Sequence, residues 1–226
     1  MVLLPRRSRH AMGRKSHLPR HVQLLFPSRP YPLLTAVHAE HSLSDLTKAV
    51  GELEFQLDQW YASIPESMKF PLDDKPMSLS EELKIHLRSR YLYCVEMIYR
   101  PFIFHVFSHT PGTPQFDLAT SPPFVDYARK CLQVSVSFVL STRHDLRHAG
   151  TWYVVRLAFL AASLLLGAST LRDYVDLLPD RAADAIDWVQ GYLEYWAPHA
   201  ASTRRMLELL MEMKAEAARL GGLNMM

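Results

Sequence analysis

Histidine pairs are the first candidates for chemistry in this sequence. His105 and His109 are four residues apart, as are His144 and His148. That spacing brings two imidazoles to one helix face, where they can share a zinc ion. A working site needs a third ligand and a base. His144 and His148 fall in a predicted loop with no Glu between them, so the pairs read as surface or capping residues. Asp73-Asp74 is the paired-aspartate candidate for a magnesium-binding helical enzyme, but Lys75, Pro76 and Met77 follow it and no further acid completes the set. It reads as a solvated turn. Cys94 and Cys131 each lie inside an apolar helical pattern and are expected to be buried core filler, not a disulfide or a metal site. The glycine spacings of a dinucleotide or phosphate loop are absent, and so is a Gly-x-Ser-x-Gly elbow. The sequence therefore nominates no catalytic, cofactor-binding or metal residue. Its four Trp, ten Tyr and ten Phe read mainly as core, with a cavity for a small apolar effector as the alternative use.

The elements that would position any site are helices. Only eight glycines occur in 226 residues, 49% of which are hydrophobic and 21% charged, a globular composition with too few tight-turn residues for a β-rich fold. The first helix is expected from Ser42 to Tyr61, with Ser42 and Asp45 in capping-box positions. Leu43, Leu46, Val50, Leu53, Leu57 and Trp60 form its seam, while Lys48, Glu52, Glu54 and Asp58 are left to the surface. Pro65 and Pro71 end it. Ser78 and Glu81 repeat the capping arrangement and open a second helix through Leu79, Leu83, Leu87, Tyr91 and Val95. This helix is apolar nearly all round after Tyr91, as the central helix of a domain would be. Pro101 is expected to kink it or to start a new turn.

A loop over Thr110–Pro123 leads into a helix through Phe124, Tyr127, Ala128, Cys131, Val134 and Phe138, capped by Ser121 with prolines in its first turn. Ser135, Ser137 and Ser141 imply a close neighbour. After the polar run Thr142–Gly150, Trp152 to Thr170 forms a buried Leu/Ala helix. Its uncharged run from Leu157 to Leu171 is shorter than the roughly 20 residues of a bilayer span, so no membrane partner is expected. Leu171–Leu178 is ambiguous. Asp180 then caps a helix through Ala182, Ile186, Val189, Leu193 and Trp196 that Pro198 ends. A last helix, Ser202 to Leu220, carries Met206, Leu207, Leu209, Leu210, Met213 and Ala217 inward and stops at Gly221 and Gly222. The fold class is all-α, an irregular bundle of six to seven helices.

Charge divides the chain into two parts. Residues 1–30 hold seven bases (Arg6, Arg7, Arg9, Arg14, Lys15, Arg20 and Arg29) and no acid, leaving 18 bases against 23 acids elsewhere. With Pro5, Pro19, Pro27, Pro30 and Pro32 also present, residues 1–41 read as a basic, proline-rich tail expected to be disordered, and 42–220 as the domain.

Within that domain, Leu46–Phe107 carries a pattern of its own. A helix with Leu57-x-x-Trp60 is followed by Ile64-Pro65, and a long helix then ends in Tyr99-Arg100-Pro101-Phe102. This pattern resembles the fungal-specific transcription factor domain, the middle homology region of zinc-cluster regulators. Ala128–Phe138, Trp152–Leu166 and Ala182–Leu210 look like its closing part, so the resemblance covers about residues 42–215. It implies a nuclear regulatory (effector) domain that modulates RNA polymerase II transcription through protein partners or a small effector. In that family the DNA reader is a binuclear zinc cluster on six cysteines; this chain has two. The expectation is thus a truncated form, without the first part of the domain and without direct DNA binding. The alternatives are a helical enzyme of unknown type and a helical protein-interaction scaffold. In the packing, Trp60 is expected to plug the end of its seam, and Arg100 to pair with Glu96 or with helix C-terminal carbonyls.

Overall fold

The computed structural model describes residues 43–73, 75, 77–108, 122–142, 150–171 and 176–221. Among them are six α-helices and no strand. They are α1 (Leu43–Ser63), α2 (Glu82–Ser108), α3 (Pro122–Ser141), α4 (Thr151–Ser169), α5 (Ala182–Trp196) and α6 (Ala201–Arg219). Short 3-10 turns at Glu66–Met68, Leu79–Glu81 and Ala197–His199 punctuate the connections. The all-α reading is correct. The tail over residues 1–41, the caps Ser42 and Ser121, the 110–121 loop and Gly222 lie outside the described residues.

Why each helix stops where it does follows from local chemistry. The α3 helix begins on Pro122 and Pro123, whose missing N–H groups cost nothing in a first turn. The α5 helix gives way to a 3-10 turn that carries Pro198. Past α6, Gly221 takes φ 75°, the left-handed conformation that closes a helix and that glycine adopts without steric penalty. Of two capping expectations, one is met and one is corrected. Ser78 is a cap, its side chain accepting from the Ser80 N–H, and a 3-10 turn precedes the start of α2 at Glu82. Arg181, not Asp180, occupies the α5 cap position, and its side chain makes no capping bond there.

The main core lies among α2–α6. The most extensive pairing is α2 on α3, while α4 reaches α2, α3, α5 and α6. Leu164, Leu165, Leu132, Ile103, Ile186, Leu193 and Leu210 are buried within this core. Central position therefore belongs to α4 and not to α2, the helix expected there. The reason lies in side-chain size. Ala158, Ala161 and Ala162 on α4 are buried, letting neighbours approach from several directions. Helix α4 is long and apolar enough to cross a membrane by length and composition, yet it is mostly buried inside the bundle. Small polar residues fit the same scheme. Ser135 and Ser163 are buried, and each hydroxyl donates to the carbonyl one turn back, Cys131 at 2.9 Å and Phe159 at 2.8 Å.

A second, smaller cluster forms where α1 meets the start of α2. Ile64, Phe70, Met77 and Ile85 are buried there, with Tyr61, Met68, Leu87 and Tyr91 packed against them. Tyr61 OH donates to the Phe70 carbonyl at 2.7 Å, tying the loop to its helix. Trp60 does not plug a seam. It is 39% exposed, stacked on Tyr91 at 6.3 Å. Leu53 and Leu83, also seam expectations, are exposed. Along the α1 seam Val50 is buried, while Leu53 and Trp60 are exposed. Cys94, expected in the core, is exposed with Met97 on the open edge of α2. Finally, α2 is one uninterrupted helix that includes Pro101; no new turn begins there.

Candidate functional site

The Tyr99-Arg100-Pro101-Phe102 segment lies where α2 crosses α3, and the polar groups with the most unusual surroundings gather around it. Glu96 and Arg100 are one turn apart on α2. Arg100 Nε donates to Glu96 Oε1 at 2.7 Å, and Nη2 engages Oε2, so the pair is bidentate. Both side chains are largely buried. Burial disfavours the Arg100 cation, but the hydrogen bond and charge of Glu96 outweigh it and leave the guanidinium more firmly protonated than usual. The Arg100 expectation is met in its Glu96 form.

Cys131 on α3 points its Sγ at the same carboxylate, 3.8 Å from Glu96 Oε1. Its thiol is pushed well up by burial and then by the Glu96 charge, against a smaller opposing pull from Arg100. A neutral buried thiol is a poor nucleophile and a poor metal ligand. Tyr93, Glu96, Arg100, Ser135, Phe138 and Leu157 line a cavity of about 20 Å³ beside this group. That is room for one water and not for an organic effector.

Tyr99 faces the other way, toward α1. Its OH donates to Glu54 Oε1, and Lys130 Nζ on α3 reaches both Glu54 Oε1 at 3.3 Å and the Tyr99 OH at 3.4 Å. Burial, then the hydrogen bond to Glu54, raises the Tyr99 phenol above its ordinary range, so it stays a neutral donor. Lys130 also lies over the Tyr99 and Tyr127 rings, 5.1 and 5.7 Å from their centroids. Glu54 was read from the sequence as a surface residue; instead it joins three helices. The signal was present, because Glu54 is one turn from Val50 on the face that packs. Its partner Lys130 is 76 residues away, beyond any local pattern. Phe102 completes the segment, meeting Phe124 and Tyr127 with ring centroids 4.8 Å apart in each case.

The remaining sequence candidates do not converge. His105 packs edge-on against Phe124 at 5.0 Å, while His109, His144 and His148 lie outside the described residues. Asp73 accepts from the Lys75 N–H at 3.3 Å and stands 4.0 Å from Arg88; Asp74 is outside the described residues. Among the described residues, no group of three His, Cys, Asp or Glu is placed to hold a metal. Sequence reasoning did not anticipate an open groove of about 400 Å³ between α3 and the approach to α5, lined by Arg129, Gln133, Ser137, Asp176, Leu177 and Arg181. Two of its charges are already engaged on their own helices, Arg129 with Asp126 at 2.5 Å and Arg181 with Asp184 at 3.5 Å.

What the arrangement does chemically is hold helices together: a charge pair inside α2, a three-helix polar contact and an aromatic crossing. Compared with known proteins, the chain matches no family model, no curated protein and no solved structure.

Proposed function

We propose that this chain is a nuclear regulatory domain that acts by contact and modulates RNA polymerase II transcription, as its resemblance to the fungal-specific transcription factor domain implies. One observation carries the reading. The Tyr99–Phe102 segment, one of the elements that carry that resemblance, is taken up in packing: Tyr99 ties α2 to α1 and α3, Arg100 is held by Glu96 within α2, and Phe102 meets rings of α3. A segment used in this way supports a domain that works through contact with partners or effectors. On this reading the chain works without touching DNA directly.

The test is a tethering experiment. The full 226-residue chain, fused to a heterologous DNA reader in a fungal host, should change a reporter's transcript by several-fold relative to the reader alone. A fluorescent fusion should concentrate in the nucleus. An unchanged reporter together with cytoplasmic fluorescence would sink the proposal. A second reading, a helical interaction scaffold outside transcription, is favoured by the large apolar side chains left exposed on α1, Leu53, Phe55 and Trp60. It predicts partner capture without any reporter effect.

A further inference from the structure

Helix α1 is attached differently from every other helix. Among its described side chains only Val50 is buried, and α1 leans chiefly on α2. Toward its C-terminal end it is held by rings, Trp60 and Tyr61 against Tyr91 at 6.3 and 5.6 Å. Midway it is held by the Glu54 carboxylate, which takes the Tyr99 hydroxyl of α2 and the Lys130 ammonium of α3 at once. Glu54 is 36% exposed and Lys130 48%, so solvent and ions reach this contact, whereas Tyr99 is buried under it. Against α1 lie Tyr91 and Tyr99 of α2, and Tyr99 in turn stacks on Tyr127 of α3 at 5.6 Å, an aromatic ledge shared by the two helices.

We infer that α1 is a displaceable cover, and that Glu54, Tyr99 and Lys130 form the latch that keeps it closed over the aromatic ledge of α2 and α3. Opening follows from the thinness of the attachment. A helix with one buried side chain among those described separates from a core at far lower free energy than global unfolding requires, and a polar contact open to solvent is the element that charge or salt can release. Opening bares the faces of Tyr91 and Tyr99 that α1 touches. This inference is independent of the transcriptional reading.

Native-state hydrogen exchange on the full chain, read by peptide mass spectrometry, tests this. In the wild type, peptides from α1 should exchange faster than those from α4. Tyr99→Phe or Glu54→Ala should speed α1 exchange by about tenfold, and Lys130→Met by about threefold, with α4 and α5 unchanged. Molar salt should reproduce part of the Lys130→Met effect. The paired reversal of Glu54→Lys with Lys130→Glu should restore protection, which a merely weakened fold would not. Equal exchange of α1 and α4 in the wild type would overturn the proposal. So would acceleration of all helices together in the variants, or a paired reversal no better than its single changes.

Discussion

Helices α1 and α4 are of similar length, 21 and 19 residues, and occupy opposite extremes of the same bundle. Twelve residues of α4 are buried, while α1 buries Val50 and leaves Leu53, Phe55 and Trp60 at 45, 59 and 39% exposure. Composition explains part of the difference, because α4 carries one charged residue, Arg156, and α1 carries Asp45, Lys48, Glu52, Glu54 and Asp58. Arrangement explains the rest. Helix α4 carries alanines that admit neighbours on several sides, whereas α1 leaves Leu53, Phe55 and Trp60 exposed and leans chiefly on α2. The contrast teaches that stability in this fold is local to its middle, and that the periphery is held by a few specific contacts.

The sharpest way to break that comparison is a matched pair of truncations. Leu165→Ala removes a fully buried side chain of α4 and should cost about 3–4 kcal/mol in urea unfolding. Leu53→Ala on α1 should cost no more than about 0.5 kcal/mol. Comparable losses at the two sites would erase the distinction. Next comes the buried charge pair. Arg100→Ala leaves Glu96 enclosed without its cation and should cost about 3 kcal/mol, while the double change of Arg100 and Glu96 to Met and Leu should recover most of it. Equal destabilisation by single and double variants would mean that volume, not charge, is what Arg100 supplies.

The smallest expected effect compares two glycines. Gly51 on α1 has open space where a Cβ would stand, so Gly51→Ala should strengthen that helix by about 0.8 kcal/mol, visible as slower α1 exchange. At Gly167 on α4 a Cβ would lie 3.1 Å from the tip of the Phe107 ring. There Gly167→Ala should lose the helical gain to crowding and give a net cost below about 1 kcal/mol. Stabilisation of similar size at both positions would show that the middle of the bundle is looser than its packing implies.

Helix positions and fold class were legible in the sequence because periodicity, prolines and the terminal glycine are local signals. The starts at Pro122 and Thr151 and the end before Gly221 agree within a residue or two. Orientation was far less legible. A seam such as Leu43 to Trp60 shows that one face is apolar, not how squarely that face meets a neighbour, and so Leu53, Trp60 and Cys94 were misplaced. The Glu96–Arg100 pair was readable, being one turn apart on one helix. The contact of Glu54 with Lys130 and Tyr99 was not, since three separate helices must be brought together before those charges are neighbours.

Proline within α2 has a consequence of its own. Pro101 has no N–H, so the carbonyl of Met97, one turn earlier, receives no bond from it. Met97 is on the exposed edge of α2, where bulk water can hydrate that oxygen. A proline two positions later would deprive the carbonyl of buried Tyr99, where solvent is less able to replace the missing donor. The open edge of α2 is thus what lets the helix carry its proline at little cost.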